Sequence, residues 1–200
     1  MRKKTFLVTQ FSIVVLTLTS SHLLHSSTKN NHNNLKKNTM KIEKPTRISH
    51  TYEQTINGSI EDILPLYCPV RELEWVEKWN PKTVYSNSGV VEEDCIFITY
   101  HDENEVVWIV TEYNTETGHV KMYYHEAGVQ VTKLEIQVSP ITENKTKAVL
   151  TYSKTALSKK GNNVLKEFTK EEYDIMMDSW EKAMNHYLKT GEMLKNLPNF

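Results

Sequence analysis

From Thr83 to Thr155 the chain presents six strand-like segments in succession, with no helical pattern between them. Parallel neighbours need a long crossover, usually a helix, so strands joined by short turns must pair antiparallel. The segments are Thr83–Ser88, Cys95–His101, Glu105–Tyr113, His119–Glu126, Val129–Val138 and Thr146–Thr155. Turn signals such as Asn87-Ser88-Gly89, Asp102-Glu103-Asn104 and Asn114–Gly118 lie between them. Val129–Val138 alternates most cleanly: Leu134, Ile136 and Val138 share one face, Lys133, Glu135 and Gln137 the other. That pattern predicts one buried and one wet face. Glu105–Tyr113 is nearly continuous in apolar residues and reads as a strand covered on both faces.

The flanks complete the layout. Arg47–Asn57 reads as a first strand, ended by Asn57-Gly58. Ser59 then caps a short helix reaching Tyr67, with Asp62 at capping-box spacing. A second short helix starts at Pro69 and runs to Trp79, where Asn80-Pro81 breaks it. After the last strand, Lys159–Asn163 reads as a loop and Val164–Phe168 as a short helical segment. Thr169 caps the main C-terminal helix, with Glu172 as its reciprocal partner. Tyr173, Met176, Met177, Trp180, Ala183, Met184, Tyr187 and Leu188 recur there at spacings of three and four, which makes one apolar stripe. The expected fold is α+β: a curved antiparallel sheet of about six to seven strands wrapped on a long C-terminal helix, with two short helices after the first strand. Such a sheet closes incompletely around one helix. The cavity this leaves is of the apolar kind that ligands use.

Charge divides the chain. Residues 1–39 hold Arg2, Lys3, Lys4, Lys29, Lys36 and Lys37 and no acidic residue, while the remainder holds 18 basic and 25 acidic residues. An acidic body argues against tracking a nucleic-acid backbone, which needs surplus Lys and Arg. Two cysteines exclude a disulfide scaffold and a four-cysteine zinc site. Met1-Arg2-Lys3-Lys4 followed by the uncharged run Phe6–Leu24 gives residues 1–25 the layout of a signal peptide or N-terminal anchor. Residues 26–45 read as an Asn-rich disordered linker, and residues 46–197 as the folded domain. Translation from Met40 is the alternative start. With the leader the protein is expected to be exported (periplasmic or extracellular) or membrane-anchored; from Met40 it is expected to be cytoplasmic.

Several stretches resemble the SRPBCC, or START-like, superfamily, and within it a bacterial subgroup. They are Leu66-Tyr67-Cys68-Pro69-Val70-Arg71-Glu72-Leu73-Glu74-Trp75, Val84-Tyr85-Ser86-Asn87-Ser88-Gly89, Thr151-Tyr152-Ser153-Lys154-Thr155-Ala156-Leu157-Ser158 and Trp180-Glu181-Lys182-Ala183-Met184-Asn185-His186-Tyr187-Leu188. The superfamily includes polyketide cyclases, lipid-transfer domains and birch-pollen-allergen-like proteins. The similarity covers roughly Arg47–Leu194. It implies a helix-grip fold with a cavity for a hydrophobic ligand, and it leaves the chemistry open.

The candidate ligand-contacting residues follow from that layout. Arg71, Trp75 and Trp79 share the segment after the first strand, where the tryptophans can reach the cavity and Arg71 can meet a polar head group. Tyr100, Trp108, Tyr124 and Tyr152 lie on predicted strands, and Met177 and Trp180 on the main helix. These supply apolar walls with a few polar handles. Each also reads as ordinary core, and Arg71, Glu72, Glu74 and Lys78 as a locally paired set. His125-Glu126 and His101-Asp102-Glu103 invite an acid/base reading, but adjacent strand residues face opposite sides. No metal-ligand spacing and no nucleophilic triad is present. The expected function is binding or transport of a small hydrophobic or amphipathic molecule without catalysis. The alternative is a cyclase- or hydratase-type enzyme acting in the same cavity, and a protein-interaction module is a third reading. No cofactor, metal or nucleic acid is expected, a membrane only through the N-terminal segment, and a monomer or weak dimer.

Overall fold

The computed structural model describes residues 45–101 and 103–197. The leader-like segment, Met40 and nearly all of the linker lie outside the described residues, and so do the readings that rest on them. The strands are β1 (Arg47–Ile56), β2 (Lys82–Tyr85), β3 (Ile96–His101), β4 (Asn104–Asn114), β5 (His119–Glu126), β6 (Gln130–Thr142) and β7 (Lys145–Ala156). They form one sheet in the order β1-β7-β6-β5-β4-β3-β2, and every pair is antiparallel. Consecutive strands neighbour one another except β1, which crosses to pair with β7 along Arg47↔Thr155 to Ile56↔Thr146. Register shifts between Val110 and Glu112 and between Pro140 and Thr142 place bulges in β4 and β6, which bend strands and sharpen their twist.

Period-two alternation decides which side chains face inward. In β6 Leu134, Ile136 and Val138 are buried as expected, and opposite them Met122 pairs with Leu134 and Val120 with Ile136. In β4 the near-continuous apolar run does not mean burial on both faces. Val106, Trp108 and Val110 point inward, while Ile109 is 42% exposed. Among the described residues one layer of helix covers the sheet, on its inner face, and the side chains of the other face are largely exposed.

That layer is α3 (Lys170–Thr190), begun by the Thr169 hydroxyl accepting from the Glu172 amide at 3.2 Å. Gly191 ends it in the left-handed conformation at φ 72°, where glycine carries no Cβ penalty. Tyr173, Met177, Ala183 and Met184 of the predicted stripe are buried, and Met176, Trp180, Tyr187 and Leu188 pack partly against the core. Two buried hydrogen bonds fix the helix on the sheet. The Tyr173 hydroxyl donates to the Leu150 carbonyl at 2.8 Å, and the Gln54 amide donates to the Met177 carbonyl at 2.8 Å. Gln54 accepts in turn from the Tyr67 hydroxyl at 2.9 Å.

Two local expectations need correction. Past Pro69 the chain forms only a 3-10 turn, Arg71–Glu74, and Lys78 adopts a left-handed backbone at φ 64°, so no helix reaches Trp79. The first short helix is α1 (Ile60–Ile63), continued by a 3-10 turn at Leu64–Tyr67. Lys159–Asn163 is no loop but the start of α2 (Lys159–Glu167), capped by the Ser158 hydroxyl accepting from the Gly161 amide. The glycine that looked like a loop residue is there for close packing: a Cβ on Gly161 would lie 1.9 Å from the Val129 carbonyl oxygen.

Candidate functional site

The concave face of the sheet and the inner face of α3 enclose an aromatic interior. Phe97 stacks on Trp108 with centroids 5.3 Å apart, and Trp108 meets Tyr124 at 4.5 Å. Trp75 contacts Trp180 edge-on at 5.7 Å, and Tyr152 meets Tyr173 at 5.8 Å. Most polar handles in this set are already used. The Trp108 indole donates to Thr99 at 2.9 Å, Trp75 to the Leu66 carbonyl at 2.9 Å, and Trp79 to the Pro69 carbonyl at 2.7 Å. Trp75, Trp108, Tyr124 and Met177 are therefore buried members of one packed cluster, with Trp79 and Trp180 at its margin.

Tyr100 does not belong with them. Phe97, Thr99 and His101 take the helix-facing side of β3, so Tyr100 points outward and is 54% exposed. Arg71 is held by Glu74 through a bidentate pair, with Nη2 donating to Oε2 at 3.0 Å, and the Tyr187 hydroxyl also donates to Glu74. The hydrogen bond from Arg71 keeps the Glu74 carboxyl below the usual range. The charge of Arg71 is paired with Glu74 at the partly exposed margin of the domain.

What distinguishes the interior is a pair of polar groups left without partners. Glu72 is 8% exposed and Tyr152 is 6% exposed. Among the described residues neither side chain makes a hydrogen bond, whereas every fully sealed polar side-chain atom does. The Glu72 carboxyl and Tyr152 hydroxyl are thus not fully sealed, and each keeps a small accessible surface. The Glu72 charge is felt at Tyr67 and at Tyr152, which places the three in one neighbourhood. Burial raises the Glu72 pKa to about 8, so near neutral pH the group is a carboxylic acid able to donate as well as accept. Buried polar groups without partners are uncommon and call for water, an ion or a ligand.

A second polar group lies toward the β3–β4 and β5–β6 turns. Glu126 is 5% exposed and accepts from Gln130 at 3.0 Å and from Asn104 at 3.3 Å, with the His101 ring nitrogen also at 3.3 Å. Half-buried Lys154 stands on the same inner face, its ammonium 3.5 Å from the centroid of the Phe168 ring. Desolvation lowers its pKa to about 8.

Glu72, Glu126 and Lys154 were not among the candidate ligand-contacting residues, although His125-Glu126 was weighed as an acid/base pair. Lys154 and Glu126 could have been found from phase, since Lys154 follows Leu150 and Tyr152, and Glu126 follows Met122 and Tyr124, on buried faces. Glu72 carries no such signal, because its burial depends on a 3-10 turn. Cys68 and Cys95 are both buried and free. Among the described residues no cluster of His, Cys, Asp or Glu is arranged to hold a metal ion, and no helix is long and apolar enough to cross a membrane. Two shallow hollows on the outside, around Lys133 and Ser153 and around Glu103 and His125, lie away from the unpartnered pair.

No protein-family model matches the chain, and no curated protein matches it. Solved structures do. Norcoclaurine synthase from Thalictrum flavum, in complex with dopamine and hydroxybenzaldehyde, superposes with a TM-score of 0.53 at 11% identity over 72% of this chain and 88% of that one. A point mutant of the same enzyme, in complex with a transition-state analogue, gives 0.54 at 11% identity over 75% and 99%. An uncharacterised protein from Rhizobium leguminosarum gives 0.51 at 8% identity over 72% and 96%. At these identities the likeness establishes the architecture alone.

Proposed function

We propose that this chain, whose fold is the helix grip of SRPBCC proteins, binds a small amphipathic molecule between the sheet and α3. Its apolar body lies along the aromatic interior, and its hydroxyl or carbonyl meets Glu72 and Tyr152. The observation that carries this reading is the unpartnered pair. Polar side chains so nearly buried that have no partner within the protein are uncommon, and they are groups that a ligand can engage. A ligand supplying an acceptor to the Glu72 acid and a donor or acceptor to Tyr152 would meet both. This is binding that preorganised polar groups select, as in most small-molecule sites.

Tryptophan fluorescence tests the proposal, since Trp75 and Trp108 belong to the buried interior and Trp180 packs against it. Titration with a series of naphthyl alcohols and ketones should give saturable quenching. Tyr152→Phe should weaken binding of the hydroxyl- or carbonyl-bearing members by roughly threefold to tenfold, the worth of one hydrogen bond. Quenching that never saturates, together with native mass spectra free of any bound small molecule, would refute the reading.

Catalysis is the second reading, favoured by one specific feature. A neutral carboxylic acid held in an apolar interior is the form in which a carboxyl polarises a ligand carbonyl. Turnover of a cyclising polyketide lost in Glu72→Gln but kept in Tyr152→Phe would select it.

A further inference from the structure

We infer that the outer face of the sheet is the surface through which two copies of this chain pair, face to face. The surface lies away from the interior, so the inference is independent of the ligand reading above.

Alternation places an apolar patch on the outer side of β3, β4 and β5. Ile96 lies opposite Ile109, and Ile109 opposite Tyr123; one row along the strands, Ile98 lies opposite Val107. Their chain neighbours Phe97, Trp108 and Tyr124 point into the core, so these side chains point out. Ile109 is 42% exposed and Tyr123 38%. Single apolar residues on a surface need no explanation, but a contiguous group at adjacent register positions marks an interaction surface.

Charge selects the occupant. A hollow of about 160 Å³ opens beside Tyr123 on the side toward β1, and Arg47 and Lys133 line it. A second, of about 270 Å³, opens beside Val107 on the side toward the β3–β4 turn, and Glu103 and Glu105 line it. Tyr123 and Val107 are diagonal neighbours across β4 and β5, so the two hollows flank one strip of the face. Arg47 donates to the Thr155 hydroxyl at 2.9 Å, and among the described residues Arg47, Glu103 and Glu105 make no ion pair. Lys133 meets Glu135 of its own strand at 2.6 Å. The face therefore has a cationic end and an acidic end, joined by apolar side chains.

A two-fold axis sets each part of an interface against another part of the same surface, so a face that pairs with itself must be complementary to itself. This one is. Turning a second copy about an axis in the plane of the face, between the two hollows, brings its Glu103 and Glu105 against Arg47 and Lys133 of the first. The same rotation forms the converse contact at the other end and packs Tyr123 on Val107 between them. Stacked sheets lie about 10 Å apart, a gap that long charged side chains reaching from both sides can close. The opposed charges fix the orientation of the pair, and the apolar strip supplies the buried area.

Sedimentation velocity of the full chain over a series of concentrations tests the inference, with two charge-reversed variants beside the wild type. One carries Arg47→Glu and Lys133→Glu, the other Glu103→Lys and Glu105→Lys. The wild type should form a dimer. Each variant alone should dimerise at least tenfold more weakly, because like charges then meet at both ends. An equimolar mixture of the two should recover the dimer, since every contact between unlike variants again joins opposite charges. A wild type that stays monomeric up to its solubility limit overturns the inference. So does a dimer that survives either reversal, or a mixture that recovers nothing. Carbodiimide cross-linking of mixed isotopically light and heavy wild-type chains reads the same contact without any variant. A light–heavy peptide joining Lys133 to Glu103 or Glu105 is expected, and a dimer that lacks it overturns the assignment.

Discussion

Replacing Glu72 with Gln should make this protein more stable, and by an amount that depends on pH. The side chain is 8% exposed and lacks a hydrogen-bond partner among the described residues, and burial raises its pKa from 4.5 to about 8. A carboxyl with a raised folded-state value binds its proton more tightly folded than unfolded. Its contribution is therefore intact below the unfolded value and lost as pH rises through the folded one. Each pH unit between the two removes about 1.4 kcal/mol. At pH 7 the accumulated loss is about 3 kcal/mol, a large share of a small domain's stability. Gln fills nearly the same volume and cannot ionise. Urea denaturation of both proteins at pH 4, 5, 6, 7 and 8 should give a difference near zero at pH 4. The difference should grow to about 3 kcal/mol at pH 7 and level off above pH 8. A difference that stays within about 0.5 kcal/mol from pH 4 to pH 8 would show that Glu72 ionises as freely as a surface carboxylate, and the argument for an unfilled polar site would go with it.

Two tyrosines on the same interior should behave oppositely. Tyr152→Phe removes a hydroxyl with no partner among the described residues and should change stability by less than about 0.5 kcal/mol, whereas Tyr173→Phe strands the Leu150 carbonyl and should cost about 1 kcal/mol or more. Thermal melts of the pair check this, and equal losses would contradict the hydrogen-bond assignment. Gly161→Ala drives a methyl into the Val129 carbonyl and should cost about 1–3 kcal/mol, read as a lower urea midpoint with an unchanged m-value.

The architecture was legible because it rests on periodicity. Alternation in Val129–Val138, capping at Thr169 and the stripe from Tyr173 to Leu188 each correspond to an observed element. The site was less legible, because large aromatic residues look like ligand walls whether or not anything binds beside them. Trp108 and Tyr124 serve chiefly to pack against each other, and Tyr100 failed on phase alone. The informative residues are polar ones where apolar ones belong. Lys154 could be read from the phase of β7. Glu126 was obscured by its neighbour His125, which faces solvent, while the imidazole that does reach it, His101, comes from another strand. Glu72 read as one of a locally paired charged set on a short helix, and the 3-10 turn after Pro69 places it inside.

The pairing of β1 with β7 also governs how this protein is made. Arg47 and Thr155 touch in the finished sheet yet lie 108 residues apart in sequence. At about 5–20 residues per second, β1 leaves the ribosome roughly five to twenty seconds before the strand it pairs with. During that interval its hydrogen-bonding edge and the inward-facing Ile56 have nothing to cover them. The loop-closure entropy of so distant a contact makes it a late event in folding as well. Chaperone dependence and aggregation during overproduction should therefore track β1. A circular permutant that begins at β6 and joins the end of α3 directly to β1 brings β1 closer behind β7 in synthesis, and it should fold with less loss than the natural order of the same strands.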